Sequence, residues 1–236
     1  MSLLSEKASK EILSRLPTQR KIAGKKSHLK VYKKLLSFKN THKLLKFLDI
    51  NNPCPSKGSF KLFIEVALGN RISDCVLLLT WGENRICYIV ELKTCMSHHK
   101  DMLQDIRRAQ KSQGLYQLCD ALRFVQNSAP TGRQKWTIVP HLVFKTQDAL
   151  KTIHSETPTF MTNLIHSCGH KLSHFFASRE DFELKRRLSC LNVTKSKSVA
   201  PKHSFLGSQP HQYSHHKQRL IARNKKKCFQ LQKGCY

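Results

Sequence analysis

The chain has 236 residues, of which 39% are hydrophobic, and a formal net charge of +27 at pH 7. This length supports one sizeable core more readily than two domains, and no apolar run reaches the roughly 18 residues that a membrane span needs. The 9 cysteines are odd in number and irregularly spaced, which argues against a disulfide framework. They include no C-x-x-C pair, which argues against a cysteine-type zinc module. We therefore expect a soluble protein of a reducing, intracellular compartment.

The positive charge is concentrated at the two ends of the chain. Residues 1 to 49 are strongly basic and residues 184 to 236 contain no acidic side chain, whereas the middle is nearly neutral. Basic ends favour a polyanionic partner, most simply nucleic acid, because condensed counterions are released on binding. Nuclear targeting explains the same charges equally well. The predicted nuclear signal consists of Arg223, Lys225, Lys226 and Lys227.

Three segments follow from this distribution. We predict a basic N-terminal arm over residues 1 to 26, a domain with a C-terminal helical extension over residues 27 to 183, and a basic, disordered tail over residues 184 to 236. Gly24 is expected to break any helix in the arm. Leucines then recur at helical spacing, with Asn40 or Thr41 as a candidate cap, which predicts two short amphipathic helices before residue 49.

Three β-strands are predicted in the middle of the chain. Residues 60 to 68, 74 to 81 and 85 to 93 are mostly apolar and rich in β-branched and aromatic side chains. The Gly-Glu-Asn sequence at residues 82 to 84 is typical of a tight turn, so the second and third strands form a hairpin.

Charged side chains interrupt these apolar strands at their ends. Asp74 begins the second strand, and Glu91 and Lys93 end the third. A charge beside a core is costly unless something pairs with it. Residues two apart on a strand share a face, so Glu91 and Lys93 emerge together and Asp74 can reach them from the neighbouring strand. This is the outline of a divalent-metal site, although a buried ion pair that only joins two strands is the ordinary alternative.

A helix and a fourth strand follow. Residues 100 to 126 have helical periodicity, and residues 135 to 144 are typical of a strand in which Pro140 favours an edge position or a bulge. The polar stripe of the helix consists of Arg107, Gln110, Gln113 and Gln117. Such a stripe is as well explained by exposure to solvent as by a role in a site.

One further cluster lies in the second half of the chain. If residues 159 to 177 form a helix, His166, His170 and His174 share one face and Cys168 points to the other. That geometry does not assemble four ligands, so a polar face with a buried cysteine is favoured over a metal site.

Asp74 on one strand and Glu91-Leu92-Lys93 at the end of the next, with Glu65 upstream, resemble the motif of the PD-(D/E)XK nuclease fold, and these residues lie in the segments FIEVALGNRISDC and YIVELKTC, which QGLYQL follows. More specifically, these segments resemble the conserved nuclear protein of herpesviruses known as the unique-long-twenty-four family, over roughly residues 20 to 145, and the short length is similar to members of the betaherpesvirus branch. The resemblance implies an α/β (α+β) fold with a restriction-endonuclease-like core of helix, three strands, helix and strand.

The resemblance also implies a site. Its catalytic residues would be Asp74, Glu91, Lys93 and Glu65, and Asp74 and Glu91 would bind Mg²⁺ or Mn²⁺ for phosphodiester hydrolysis. Residues that would support the site or bind nucleic acid are Arg71, Arg107, Gln113 and Gln117.

The family implies a protein of the host nucleus and nucleolus, with the host cytoplasm and the virion as further locations. The expected function is that of an endonuclease acting on DNA, associated with host cell-cycle arrest and nucleolar disturbance. The alternative is a catalytically silent, nuclease-like scaffold that binds nucleic acid or host nuclear proteins. The expected partners are nucleic acid, most simply DNA, and host nuclear or nucleolar proteins, with no membrane. The sequence leaves the oligomeric state open.

Overall fold

A computed structural model describes residues 3–51, 58–96, 104–159 and 163–193, without the side chains of residues 191 to 193. The described residues form six helices and one six-stranded sheet, which confirms the predicted mixed α/β class. The elements are α1 Glu6–Ser14, α2 Thr18–Ser37, α3 Thr41–Leu48, β1 Ser59–Leu68, β2 Arg71–Trp81, β3 Asn84–Cys95, α4 Gln104–Ser128, β4 Gln134–Thr146, β5 Thr152–Glu156, β6 Leu164–Ser167, α5 Gly169–Ala177 and α6 Phe182–Val193. None of the helices in these segments is long and apolar enough to cross a membrane.

The sheet has the strand order β1-β2-β3-β4-β5, with β6 also paired to β4. Strands β1 to β3 are antiparallel neighbours, and β4 runs parallel to β3. Parallel neighbours need a crossover, which α4 provides. Gly82 lies in the turn between β2 and β3 with a φ of 52°, a left-handed conformation that glycine adopts without strain. The predicted hairpin, the strand before it and the helix and strand after it are all observed.

Helices cover both faces of the sheet, and each face has its own apolar core. One core packs α4 and α5 onto the sheet through Leu118, Leu122, Leu172 and Phe176. The other packs α2 and α3 onto the opposite face through Val31, Leu35, Leu44, Leu45 and Leu48. Fully burying one such side chain contributes about 1.5–3 kcal/mol, so these stripes, more than helix propensity, hold the helices in place.

The N-terminal helices differ from the prediction in length. Helix α2 begins at Thr18 and continues through Gly24, which the sequence analysis had interpreted as a helix breaker. An interior glycine costs a helix only about 1 kcal/mol, and the packing of the second half of α2 offsets this cost. The predicted cap of α3 is confirmed, because the Asn40 side chain accepts a hydrogen bond of 3.1 Å from the backbone N–H of Lys43.

The predicted helix over residues 159 to 177 is wrong. Residues 164 to 167 form β6, which pairs with the start of β4, and only residues from Gly169 onwards are helical. His166 therefore lies on a strand, whereas His170 and His174 lie on α5, so the three histidines do not share one helical face. The local pattern was helical, but pairing with a strand about thirty residues earlier outweighed it.

Strand β4 lies inside the sheet, but β6 and β5 pair with its two ends and leave Pro140 between those ladders. The missing proline N–H is tolerated there because no described strand pairs with that edge.

Helix α6 extends past residue 184, the predicted start of the disordered tail, and the predicted nuclear signal at residues 223 to 227 lies outside the described residues.

Lys145 is a buried lysine next to α3, and its burial makes the stability of the protein depend on pH. Its side chain is 1% exposed, and its Nζ donates to the carbonyl oxygen of Phe47 at 2.6 Å and to the hydroxyl of Thr152 at 2.9 Å. Burial lowers its pKa from 10.5 to about 8. The unfolded chain therefore binds more protons between pH 8 and pH 10.5, and the free energy of unfolding rises with pH across that window.

We expect the native chain to gain about 1–2 kcal/mol of stability over the Lys145→Met variant between these pH values, as the direction of the pKa shift requires. Urea denaturation at several pH values measures this gain. A Lys43→Met variant, altered at an exposed position of α3, should follow the native curve. Parallel curves for the native chain and Lys145→Met would contradict the prediction.

Candidate functional site

The carboxylates singled out in the sequence meet where β2 and β3 separate. The ladder between the two strands ends at the pair Cys75 and Val90, whereas β3 continues beside β4 as far as Cys95. Asp74 lies at this point, and its Oδ2 accepts a hydrogen bond of 2.7 Å from the backbone N–H of Leu92. The Asp74 carboxylate thus satisfies a backbone donor that β2 no longer pairs.

Lys93 is held by three acceptors. Its Nζ donates to Glu91 Oε1 at 2.8 Å, to Gln117 Oε1 at 2.9 Å and to Gln113 Oε1 at 3.3 Å. The Lys93 and Glu91 side chains are only 11% and 4% exposed. The two glutamines project from α4, so the helix and the sheet together position the ammonium group. The structure therefore brings these four predicted site residues together.

A glycine lets α4 come this close to the sheet. A Cβ atom at Gly114 would lie 2.7 Å from Leu142 Cδ1 and 3.3 Å from Lys93 Cε. Real Cβ atoms do not approach a packed side chain to the first of these distances, so a larger residue would push α4 away from β4. The position of Gln113 and Gln117 over Lys93 depends on this close approach.

Helix α2 adds two site residues that the sequence analysis did not single out. The Tyr32 hydroxyl oxygen lies 2.7 Å from Glu65 Oε1 and also contacts Asp74 Oδ1. His28 Nδ1 lies 3.1 Å from the same oxygen of Asp74. His28 and Tyr32 are four residues apart and so share one face of the helix. That spacing was the only local signal, and it does not show that this face meets carboxylates from β1 and β2.

Glu65 has a strained backbone. Its φ is 49°, in the left-handed region that a non-glycine residue adopts at a cost of about 1–3 kcal/mol. The β1–β2 register passes from Ile64 to Val66 without pairing Glu65, and its carbonyl oxygen instead accepts from the backbone N–H of Asp181 at 3.2 Å. The irregularity sits where the Glu65 carboxylate joins Tyr32, as functional strain commonly does.

The electrostatics of the cluster are dominated by burial and by the excess of acids. Burial, with the Asp74 charge adding to it, raises the pKa of Glu91 to about 7, and Lys93 opposes the rise. Burial also raises the pKa of Glu65. Burial acts on Asp74 in the same direction, but hydrogen bonds from His28 and Tyr32 and the charges of His28 and Lys93 outweigh it and lower its pKa. Any added cation would favour the ionised carboxylates.

The Tyr32 hydroxyl has one proton and faces two carboxyl groups. A protonated Glu65, which its raised pKa favours, can donate to the tyrosine oxygen while Tyr32 donates to Asp74. His28 also contacts Asp74. Burial alone would lower the pKa of His28, but the hydrogen bond to Asp74 and the negative charge of Asp74 raise it. Asp74 is thus the ionised member of the upstream pair of acids.

The two arginines predicted to support the site are placed differently. Arg71 pairs with Glu6 Oε1 at 2.6 Å and Asp120 Oδ2 at 2.9 Å, and so links α1 to α4 and not to the carboxylate cluster. Arg107 is exposed on α4, where its charge opposes the burial that raises the pKa of Cys95 at the end of β3. The roles predicted for both arginines stay predictions.

A metal ion would have to use few protein ligands. Among the residues that the structure describes, no group of three or more His, Cys, Asp or Glu side chains is placed to hold a metal ion. In the described part of the chain, His166, His170 and His174 do not form such a group. The candidate ligands that remain are the carboxylates of Asp74 and Glu91, with the backbone carbonyl of Leu92 between them in sequence.

The Tyr32 hydroxyl can be tested by removing it. We expect Tyr32→Phe to lower the free energy of unfolding by about 1.5–3 kcal/mol, because hydrogen bonds to charged groups are lost from a buried site. Urea denaturation measures this change. Tyr116→Phe, at a half-exposed position of α4, should change it by less than about 0.5 kcal/mol. Equal stability of Tyr32→Phe and the native chain would show that the hydroxyl does not bridge Glu65 and Asp74.

The chain is similar in sequence to known viral proteins. The model of a family described as herpes virus proteins UL24 and UL76 matches residues 14–187. The UL24 homolog of Equine herpesvirus 2 is 52% identical over 229 residues, which cover 97% of each chain. That of Saimiriine herpesvirus 2 is 50% identical over 94% of this chain and 73% of its own. That of Human herpesvirus 6A is 29% identical over 82% of this chain and 80% of its own. These relatives do not confirm the expected betaherpesvirus branch, and no solved structure matches.

Proposed function

Because the chain belongs to the herpesvirus family of the UL24 and UL76 proteins, we propose that it is a viral metal-dependent endonuclease with a PD-(D/E)XK-like core. The observation that supports this proposal is the convergence of Asp74, Glu91 and Lys93 where β2 and β3 separate. Tyr32 links Glu65 to Asp74, so a third carboxylate belongs to the same cluster. The proposed reaction is hydrolysis of phosphodiester bonds in DNA.

Mg²⁺ fits the donor atoms of this site. It is usually bound by one or two carboxylates and keeps several waters, and Asp74 and Glu91 would hold it here. Burial, and after it the charge of Asp74, raise the pKa of Glu91, and an additional cation would offset both effects. When bound, Mg²⁺ or Mn²⁺ would neutralise charge on the phosphate and lower the pKa of a water molecule.

The protein's own residues would orient the reactants. Lys93 Nζ, already held by Glu91 and two glutamines, would donate to a phosphate oxygen or position the attacking water. A donor fixed before the reaction stabilises developing charge without reorganisation of the site. Tyr32 and His28 would keep the Asp74 carboxylate in a single orientation.

One observation favours a second function. Both oxygens of Asp74 already accept protein hydrogen bonds, from Tyr32 and His28 at Oδ1 and from the Leu92 N–H at Oδ2. A carboxylate whose two oxygens both accept hydrogen bonds from the protein would equally suit a residue that only holds the strands and helix together. In that case the fold would serve as a catalytically silent scaffold that binds nucleic acid or host nuclear proteins, and the expected cell-cycle arrest and nucleolar disturbance would follow from those contacts.

A cleavage assay separates the two functions. Purified full-length chain should nick supercoiled plasmid DNA with Mg²⁺ or Mn²⁺ and not with EDTA, and Asp74→Asn should abolish the nicking. Glu83→Gln, an exposed acid in the β2–β3 turn, is the matched control and should cleave like the native chain. Cleavage by Asp74→Asn at the native rate, or no metal-dependent cleavage at all, would leave the scaffold as the better proposal.

The proposed location is the host nucleus and nucleolus, with the cytoplasm and the virion as further sites. The basic tail supports it through Arg223, Lys225, Lys226 and Lys227, which lie outside the described residues. Alanine substitution of these four residues in the full-length chain should reduce nuclear accumulation, as seen by microscopy. Unchanged accumulation would assign targeting to another segment.

A further inference from the structure

A cleft of about 490 Å³ opens beside Lys93. It is bounded by the connection between α1 and α2, the first turns of α2, the end of β3 and the start of α4. The described residues that line it include no acidic side chain. The cleft thus meets the carboxylate site at Lys93. The lining of the cleft is basic, whereas the site is rich in acidic side chains.

One wall of the cleft is basic. Arg20, Lys21 and Lys25 of α2 line it, followed on the same helix by His28, which bonds to Asp74. Lys21, Lys25 and His28 have helical spacing of four and three residues and so form one stripe that leads towards the site. Lys21 donates to the carbonyl oxygen of Ser14 at 2.7 Å, whereas no described residue pairs with the side chains of Arg20 and Lys25. Their charges are available to an anionic ligand.

The other wall of the cleft is apolar. Leu13 and Leu16, around the end of α1, face Met96 after β3 and Ile106 on α4. Met96 is 51% exposed, and the other three side chains are partly exposed. Enzymes that act on extruded or unpaired nucleotides hold the base between apolar or aromatic side chains in this way. A basic wall opposite an apolar wall suits a ligand that carries phosphates along one edge and flat rings along the other.

The size of the cleft decides between forms of nucleic acid. Its volume lies within the roughly 300–1,000 Å³ of sites that enclose drug-sized ligands, which is the size of one or two nucleotides. A duplex is too wide to enter, and it keeps its base faces stacked away from an apolar wall. An unpaired strand can present phosphates and bases together.

We propose that this cleft binds one or two nucleotides of unpaired DNA and directs the strand to Lys93. Phosphates would lie along Arg20 and Lys25, and bases would pack on Leu13, Leu16 and Ile106. The inference rests on the proposed function for the reaction at the carboxylate site, and it specifies the substrate as single-stranded DNA or a single-stranded region of a duplex. Binding in the cleft needs neither metal nor turnover.

The first test measures binding in EDTA by fluorescence anisotropy, with full-length chain and two labelled probes of equal phosphate number, a short oligodeoxycytidylate and a blunt hairpin. The Arg20→Ala/Lys25→Ala variant should bind the single strand about tenfold more weakly and the hairpin less than about twofold more weakly. Lys43→Ala/Lys46→Ala removes the same charge from an exposed face of α3 and should alter neither affinity by more than about twofold. Equal losses for both probes in the cleft variant would overturn the inference.

The second test examines the apolar wall. Leu16→Ala/Ile106→Ala should weaken binding of the oligodeoxycytidylate several-fold and leave an abasic strand with the same phosphates unaffected, with circular dichroism as the check on folding. Equal effects on both strands would overturn base packing in the cleft. Because these measurements use EDTA, an inactive chain that shows both patterns would contradict only the proposed nuclease. A chain that cleaves DNA without either pattern would contradict only this inference.

Discussion

Replacing Lys93 with methionine will lower the rate of metal-dependent DNA cleavage by about 10²- to 10³-fold, the usual loss when one preorganised donor to the transition state is removed. Methionine keeps most of the side-chain volume but cannot donate to a phosphate oxygen or to water. Glu91, Gln113 and Gln117 hold the ammonium group in one place, so the variant loses a donor that is already positioned before the reaction. Single-turnover cleavage of a labelled oligonucleotide with Mg²⁺ measures the rate.

Two controls make this result specific. Lys39→Met removes an exposed lysine near the end of α2 and should cleave at the native rate. Glu91→Gln/Lys93→Met avoids leaving a buried charge without a partner, so it should fold like the native chain and still be inactive. Native rates in a folded Lys93→Met protein would show that the lysine takes no part in the reaction.

The same substitution will also destabilise the fold. Lys93→Met should lower the free energy of unfolding by about 3–5 kcal/mol at a pH above 7, because Glu91 must then either ionise without its cation or take up a proton. The Glu91 side chain is only 4% exposed, so water cannot replace the lysine. Glu91→Gln/Lys93→Met should recover most of the loss, since a neutral pair leaves no charge to desolvate. Urea denaturation of the native chain, both single variants and the double variant gives the coupling energy.

The pH dependence follows from the direction of the Glu91 shift. Its pKa is raised from 4.5 to about 7 in the native fold, and removing Lys93 raises it further. In this range the folded state binds more protons than the unfolded state, so stability falls as pH rises. Well below pH 7 Glu91 is protonated in both folded proteins, so the deficit of Lys93→Met should grow mainly as the pH rises above about 7, where only the native Glu91 ionises.

An exposed pair provides the comparison. Arg186 and Glu183 lie 2.7 Å apart with side chains 59% and 58% exposed, so Arg186→Met should have little effect on the free energy of unfolding. A Lys93→Met loss as small as that of Arg186→Met would contradict the assignment of Glu91 as a buried charge that depends on Lys93.

Part of this site could be predicted because its signals are local. The alternation of apolar residues with a tight turn at Gly82 predicted the hairpin, and a period of two placed Glu91 and Lys93 on one face. Asp74 begins a strand whose partner is fixed by that same turn. Gln113 and Gln117 were found because a helical stripe of polar residues has a recognisable spacing.

The other residues of the site could not be predicted because their contacts are remote in sequence. His28 and Tyr32 lie on a helix more than thirty residues before the acids that they contact, and helical spacing does not say which surface a helix will meet. The strained conformation of Glu65 depends on residues near 180 that replace β2 as its partner. The predicted helix at residues 159 to 177 was wrong for the same reason, since pairing with β4 made part of it a strand.

The sequence by itself determined the class of the fold, the strands that carry the acids, the pairing of Glu91 with Lys93 and the excess of positive charge at both ends. These depend on periodicity and composition, which act over a few residues. Only the tertiary structure decided that β2 and β3 separate at Asp74, that α2 closes the site with Tyr32, and that a basic and an apolar wall form a cleft beside Lys93. Those features arise when helices from distant parts of the chain bury their apolar stripes on the two faces of one sheet, and burial is a property of the assembled fold.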